Sequence, residues 1–537
     1  MSGEANSYYA GGQQADVEHG NQQHNGHNGQ SGQPKQQPGN GQGYDQQRGG
    51  PDQNYNYGEK VDYDQFFKPP KQRKFKDIWA GLLFLATVAG FIAIAVISLR
   101  AYTQTRAASG SSIYDADDSN FGLNTSTIIC MVVCVAVAVV LSVLYLTITR
   151  VFTKLLIWIT GIANIVLGLG TAIYMLYEKY YSGGIVFLIF AVFNIFCFIS
   201  WIPRIPFSVE MLRASIDVSR KYGHVYVVSM VGGLLSAAFG VLFSVTMVAV
   251  YIKFEPGSDG CDVSGGGCSK AKLIGVMAFI TFAGYWITEW LKNTIHASIA
   301  GVYGAWYYAP NEQSFPKGAT RGSVKRILTR SFGSISLGSL VVAIINALRQ
   351  LCSIAQHQAA DNNNIVATIV VCLIGCLLSV LEWAVQFVNR FAFCNIALYG
   401  STYFEAARDT WTMLKSRGID ALVNTCLVGP VFSMGATFVA YATALSAYLF
   451  LKITDPAYNS GGGYTPVIVA YAFLVGLQIC NVFTVPISSG VDTIFVAMGW
   501  DPYVMRQSHT ELFDRLVRVY PQVQQAVQGE RWNGVGR

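Results

Sequence analysis

Ten apolar runs, each long enough to cross the roughly 30 Å hydrocarbon layer of a bilayer, recur between residues 77 and 488 of this chain. They fall near 77–99, 127–149, 153–176, 184–202, 225–252, 272–299, 331–356, 365–390, 421–451 and 466–488. Backbone N–H and C=O groups find no water inside a bilayer, so an isolated apolar run crosses it as a helix whose hydrogen bonds are all internal. Composition agrees: 52% of the 537 residues are hydrophobic and only 13% are charged, against about 25% charged in soluble domains. The expected fold is an all-α, polytopic membrane protein with about ten transmembrane helices.

Residues 1–70 are different material. Gln, Asn, Gly and Tyr dominate, as in "NQQHNGHNGQSGQPKQQPGNGQGYDQQRGG", with almost no aliphatic side chains to nucleate a core. A disordered cytoplasmic tail is expected, with His19, His24 and His27 incidental rather than metal ligands. No apolar stretch follows the initiator, so no cleavable signal peptide is expected. The transmembrane bundle then spans 71–500, and 501–537 forms a cytoplasmic C-terminal tail.

Lys and Arg set the orientation. Lys68, Lys71, Arg73, Lys74 and Lys76 precede the first run. The connections after runs two, four, six and eight are also basic, with Lys154, Arg204, Arg213, Arg220, Lys317, Arg326 and Arg408 among their residues. The alternate connections are poorer in cations, which places both termini in the cytoplasm. On the opposite side lie Cys261 and Cys268, in the Gly-rich "PGSDGCDVSGGGCSK". Two thiols so close on an oxidising face suit a local disulfide, while metal would want more ligands than Asp259 and Asp262 add. Asn124-Thr125-Ser126, an N-glycosylation sequon, is assigned to the same side. The remaining cysteines fall in or beside apolar runs and read as small buried hydrophobes. Small-residue ridges, Ser236–Gly240–Ser244 and those in "SFGSISLGSL" and "GIANIVLGLG", mark where helices are expected to approach closely.

The sixth run is the unusual one. "GYWITEWLKNTIHASIAGVYGAWYY" places Tyr285, Glu289, Lys292, His296 and Tyr303 within one narrow sector of a helix. An ionised side chain in mid-membrane costs a few kcal/mol even on conservative scales, so such residues face the bundle interior or a watery cavity. Two readings follow. In one, Glu289 and Lys292 form an i,i+3 pair shielded in the bundle, and Lys292 and His296 reach toward the cytoplasmic face. In the other, Glu289 is the carboxylate of a cation site. Tyr285, Trp286 and Trp290 would offer aromatic faces, which suit a quaternary ammonium with no N–H to donate, and Glu289, Lys292 and His296 would couple transport to protons. Glu382, followed by Trp383, is the second carboxylate expected well inside a run, and the same two readings apply: a substrate-binding pair, or a carboxylate neutralised by Arg390 two turns on or through a neighbouring helix. The shared "EW…YG" pattern of runs six and eight hints at an internal repeat.

No G-x-x-x-x-G-K-[ST], H-E-x-x-H or G-x-S-x-G motif is present, and two separated intramembrane carboxylates do not make a metal site for phosphoryl transfer. No enzyme activity, cofactor or nucleic-acid partner is expected.

"DIWAGLLFLATVAGFIAIAVISLRAYTQT", "SSIYD", "WIPRIPFSVEML", "GCDVSGGGCSKAKLIG", "ALYGSTYFEAARDTWTMLKSRGIDALVN" and "VDTIFVAMGWDP" carry a resemblance over roughly residues 75 to 520. The chain resembles the choline transporter-like family, in particular its fungal pH-nine-sensitive branch. The resemblance implies a ten-span plasma-membrane protein with both termini inside. It also implies a transported solute, choline or ethanolamine in animal members with proton exchange, and it places an acidic residue at Glu289 in the sixth span. The function expected is transport of a small solute, an organic cation such as choline if the family substrate carries over. A non-transporting membrane scaffold or stress sensor is the alternative.

Overall fold

Among the described residues, every apolar run carries a long helix, the ninth beginning at Val428. The computed structural model describes residues 75–108, 125–177, 179, 181–254, 269–361, 365–419, 423, 426–456, 459 and 465–526, and among these all regular structure is helical. The N-terminal tail, Cys261, Cys268 and Asn124 lie outside the described residues. The long helices are α1 (Ile78–Ala108), α2 (Thr125–Val151), α3 (Thr153–Tyr177) and α4 (Tyr181–Trp201). After the connecting helix α5 (Ile205–Lys221) come α6 (His224–Phe254) and α7 (Lys270–Tyr308). The short α8 (Ala319–Thr329) leads to α9 (Phe332–Asp361) and α10 (Ile365–Tyr399). Beyond α11 (Tyr403–Ser416) lie α12 (Val428–Thr454) and α13 (Thr465–Trp500), and then the short α14 (Pro502–Ser508), α15 (Thr510–Val519) and α16 (Gln522–Ala526).

Nine stretches of the described residues are long and apolar enough to cross a membrane. The run expected at 153–176 is also helical, as the 25-residue α3. One of the nine stretches continues from α4 into α5. However, α5 carries Glu210, Arg213, Asp217, Arg220 and Lys221 and is entered through Pro203 and Pro206, so its chemistry is that of a connector at the membrane boundary.

Two helices organise the bundle. α7 packs on α6, α8, α9, α10 and α13, and α13 packs in turn on α2, α5, α6, α10 and α12. With 39 residues, α7 is about 58 Å long at 1.5 Å per residue, far more than the hydrocarbon layer requires. Its start is capped by Ser269, whose hydroxyl accepts from Lys272 N at 3.2 Å, and Pro310 follows its end. The overhanging last turns, from Ala297 to Tyr308, are buried apart from the half-buried Trp306. Residues 502–526, within the expected C-terminal tail 501–537, return to this end. Tyr307 Oη donates to Asp501 O, His509 Nε2 donates to Tyr307 O, and Leu512 and Leu516 are buried as α15 packs on α5. Burial lowers the pKa of His509 from its ordinary value and keeps the ring neutral at pH 7.

Asp77 ties three elements together. Its carboxylate accepts from Ser334 Oγ at 2.6 Å and from Tyr403 N at 2.9 Å, joining the starts of α1, α9 and α11. The backbone there is so close that a Cβ on Gly333 would meet the Asp77 carbonyl oxygen at 2.2 Å, so only glycine fits. The expected ridge Ser236–Gly240–Ser244 is not such a contact: a Cβ on Gly240 would meet nothing within 4 Å. The close approach lies elsewhere on α6, at Gly233, where a Cβ would meet Val482 at 2.4 Å.

Val482 explains a further contact. Pro486 sits inside α13 and has no N–H to offer the carbonyl four residues earlier. That carbonyl belongs to Val482, and Ser229 of α6 donates its hydroxyl to it instead. Ser229→Ala would leave a carbonyl in hydrocarbon without a donor and is expected to cost about 1 kcal/mol. A lowered midpoint of thermal unfolding in detergent checks this, and an unchanged midpoint would remove Ser229 from the account.

Candidate substrate and coupling site

Each member of the polar stripe of α7 has a partner in the structure. Tyr285 Oη donates to Gln350 Oε1 of α9 at 3.4 Å. Glu289 and Lys292 pair along the helix at 3.5 Å, with side chains 13% and 58% exposed. Tyr303 Oη donates to Ser215 O of α5 at 3.0 Å. Tyr285, His296 and Tyr303 thus form a seam along which α7 meets the rest of the bundle, while Glu289 and Lys292 pair within the helix.

His296 is the member of that seam that reaches two other helices at once. Its Nε2 lies 2.9 Å from Arg390 O of α10, and its Nδ1 lies 2.8 Å from Ser489 Oγ of α13. A carbonyl only accepts, so Nε2 carries the proton and Nδ1 accepts from the serine. Cys394 of α10 adds its sulfur 3.4 Å from Nε2 and lies 3.6 Å from Thr493 Oγ1. Beside this ring stands an ion pair that sequence reasoning missed. Arg390 Nε is 3.3 Å from Asp492 Oδ2, the carboxylate side chain being 8% exposed, and the guanidinium lies over the Phe391 ring at 4.7 Å. Asp492 was missed because the tenth run was ended at residue 488, whereas α13 continues to Trp500. The available signal was the spacing Thr484, Ser488, Asp492, which repeats every four residues down one face.

The other sequence-predicted residues are placed differently. Trp286 is buried against Phe84 and Phe282, and its Nε1 donates to Ser336 O at 3.0 Å. Trp290 stacks on Phe84 at 4.9 Å and meets Phe332 edge-on. Their rings therefore pack among phenylalanines of α1, α7 and α9 rather than lining an open cage beside Glu289. Glu382 is saturated, though not by Arg390. Arg349 of α9 pairs with it, Gln386 Nε2 donates at 3.0 Å, and the Asn346 amide, turned nitrogen inward, donates at 2.8 Å. Trp383 is 68% exposed on the outer surface, where it stacks on Phe387. The structure thus does not bring the Glu382–Trp383 pair together with Glu289. No group of three or more His, Cys, Asp or Glu among the described residues is arranged to hold a metal.

A bundle of long apolar helices with an ionisable joint between them defines a polytopic membrane protein. Residues 185–503 match the family described as plasma-membrane choline transporter, and the chain belongs to that family. Similar proteins include Protein PNS1 of Gibberella zeae, 53% identical over 92% of this chain and 90% of that protein. Protein pns1 of Aspergillus fumigatus is 54% identical over 87% of each chain. Protein PNS1 of Saccharomyces cerevisiae is 42% identical over 88% of this chain and 90% of that one.

The Arg390–Asp492 pair has a measurable consequence. Arg390→Gln leaves a carboxylate uncompensated in the bundle and is expected to cost about 3 kcal/mol, whereas Arg390→Gln with Asp492→Asn removes both charges and recovers most of the loss. Thermal unfolding in detergent compares the two, and equal losses would show that the pair is not coupled.

Proposed function

We propose that this protein is a secondary transporter that carries a small organic cation, choline or a related amine, across the plasma membrane. Both termini face the cytoplasm, and the cargo is not chemically changed. The observation that carries the reading is the position of His296, whose two ring nitrogens hold α10 and α13 at once. Protonation would turn Nδ1 from an acceptor into a donor, so the Ser489 hydroxyl would have to rotate. The joint between three helices then depends on a proton, which is the linkage that coupled transport needs. Family membership over residues 185–503 supports the same reading.

Glu289, two turns earlier on the same face, is the proposed carboxylate for the cargo. Lys292 holds it while the site is empty, and the lysine is exposed enough to swing away when a cation arrives. A cargo cation and a proton would compete for one carboxylate, which is the simplest chemistry for exchange. The driving force differs between modes. Uniport of a monovalent cation gains about 2.3 kcal/mol per 100 mV, enough for roughly 50-fold accumulation, whereas one-for-one proton exchange is electroneutral and follows the pH gradient.

A second reading, a non-transporting scaffold or stress sensor, draws on the covered faces of Trp286 and Trp290, which leave Glu289 without an open aromatic cage. Uptake of radiolabelled choline into proteoliposomes separates the two. Glu289→Gln, which can no longer bind and release a proton, is expected to reduce pH-driven uptake at least about tenfold while the protein remains folded. Wild-type protein that moves no member of an amine panel under either a potential or a pH gradient would leave the scaffold reading standing.

A further inference from the structure

α13 has a second face of interest, turned away from His296. Ile487 and Ser489 lie two residues apart and so point about 200° apart around the helix. On the Ile487 side opens a groove of about 210 Å³, walled by Val143 and Leu146 of α2, Ile216 of α5, and Phe483 and Ile487 of α13. That exceeds the roughly 150 Å³ of a cavity that holds benzene, and it accommodates a length of alkyl chain. The groove is open to the outer surface of the bundle, where Val143, Leu144 and Val227 are exposed. In a membrane, those side chains face lipid.

Three polar side chains also line the groove, and two of them are already engaged. Thr147 Oγ1 donates to Val143 O of its own helix at 2.8 Å, and Tyr226 Oη shares a hydrogen bond with Ser219 Oγ at 3.0 Å. The third is Arg220, which is exposed and has no anionic partner among the described residues. Its neighbours on α5 are paired: Arg213 with Glu210 at 3.3 Å, and Lys221 with Glu312. A cation therefore stands without a counter-charge over an apolar trough. Because α5 is the charged connector between the spans α4 and α6, the guanidinium lies where headgroups lie.

We propose that this groove binds an anionic phospholipid, with one acyl chain along Val143, Ile216 and Ile487 and the headgroup phosphate on Arg220. One molecule then satisfies both features: the alkyl chain fills the trough, and guanidinium meets phosphate in its favoured forked geometry. Inorganic phosphate would use only the arginine, and a zwitterionic lipid would bring its own cation to the same place. The bound lipid would bridge α2, α5, α6 and α13 from the outside. The site is distinct from the proposed cargo site, since Phe483 and Ile487 lie on a different face of α13 from Ser489.

The test is lipid retention by the full chain purified in neutral detergent, exposed to micelles carrying equal phosphatidylserine and phosphatidylcholine and read by native mass spectrometry. Wild-type protein is expected to retain phosphatidylserine preferentially. Arg220→Gln should reduce that preference about fivefold, the ratio typical of one basic residue at an anionic surface, while Arg220→Lys keeps most of it. Val143→Trp, a change on an exposed wall, should fill the trough and reduce retention of the lipid itself. Inorganic phosphate at millimolar concentration should leave retention unchanged. Equal retention of the two lipids by wild-type protein, undiminished phosphatidylserine on Arg220→Gln and Val143→Trp, or displacement by phosphate alone would each overturn the proposal.

Discussion

A hydroxyl, amide or imidazole in hydrocarbon must find its partner on another helix, and in this protein many of those partners are gathered along α7. Trp286 reaches Ser336 O, Asn293 Nδ2 donates to Ser339 Oγ, His296 spans α10 and α13, and Tyr303 reaches Ser215 O. Each contact is modest, since intramembrane hydrogen bonds average well under about 2 kcal/mol. Together they fix the rotation of α7 about its axis, because turning it would strand several polar groups at once. The neighbours inherit their registers from that fixed helix. α13 is then held from a second direction, where Ser229 supplies the donor that Pro486 cannot.

The same economy explains what the sequence could and could not reveal. Helix positions were legible because the bilayer leaves an apolar run of this length only one structure. The stripe from Tyr285 to Tyr303 was legible because helical periodicity alone puts those residues on one face. Partner identity was not. Arg390 lies eight residues from Glu382 in sequence, yet it pairs with Asp492 of α13 while Arg349 takes Glu382. No local pattern encodes which of two arginines on neighbouring helices meets which carboxylate. Trp286 and Trp290 were read as cage walls from their chemistry, but Phe84 and Phe332 on other helices occupy their faces. Small residues showed the same asymmetry. Gly233 is a true close approach and Gly240 is not, although both stand in one small-residue stretch.

For transport, the arrangement divides α7 into two parts. The first half of the stripe holds a carboxylate whose only cationic partner, among the described residues, is an exposed lysine on the same helix. The second half is locked into α10 and α13 by a ring that cannot change its protonation without changing its hydrogen bonds. Cargo or a proton at Glu289 and a proton at His296 would thus act on one helix. Its far end, from Ala297 to Tyr308, is held by the helices that follow α13, so any movement of α7 is felt at the boundary formed by α5, α14 and α15.

Cys394 reports on this joint directly, because it is fully buried beside His296 and Thr493. The decisive measurement is the rate at which a membrane-permeant maleimide labels Cys394, as the only remaining cysteine, in proteoliposomes with and without a choline gradient. If the seam between α7, α10 and α13 parts during transport, labelling rises several-fold under the gradient and is slow without it. An equally slow rate in both conditions, in vesicles that accumulate choline, would show that the joint stays closed and that the path lies elsewhere.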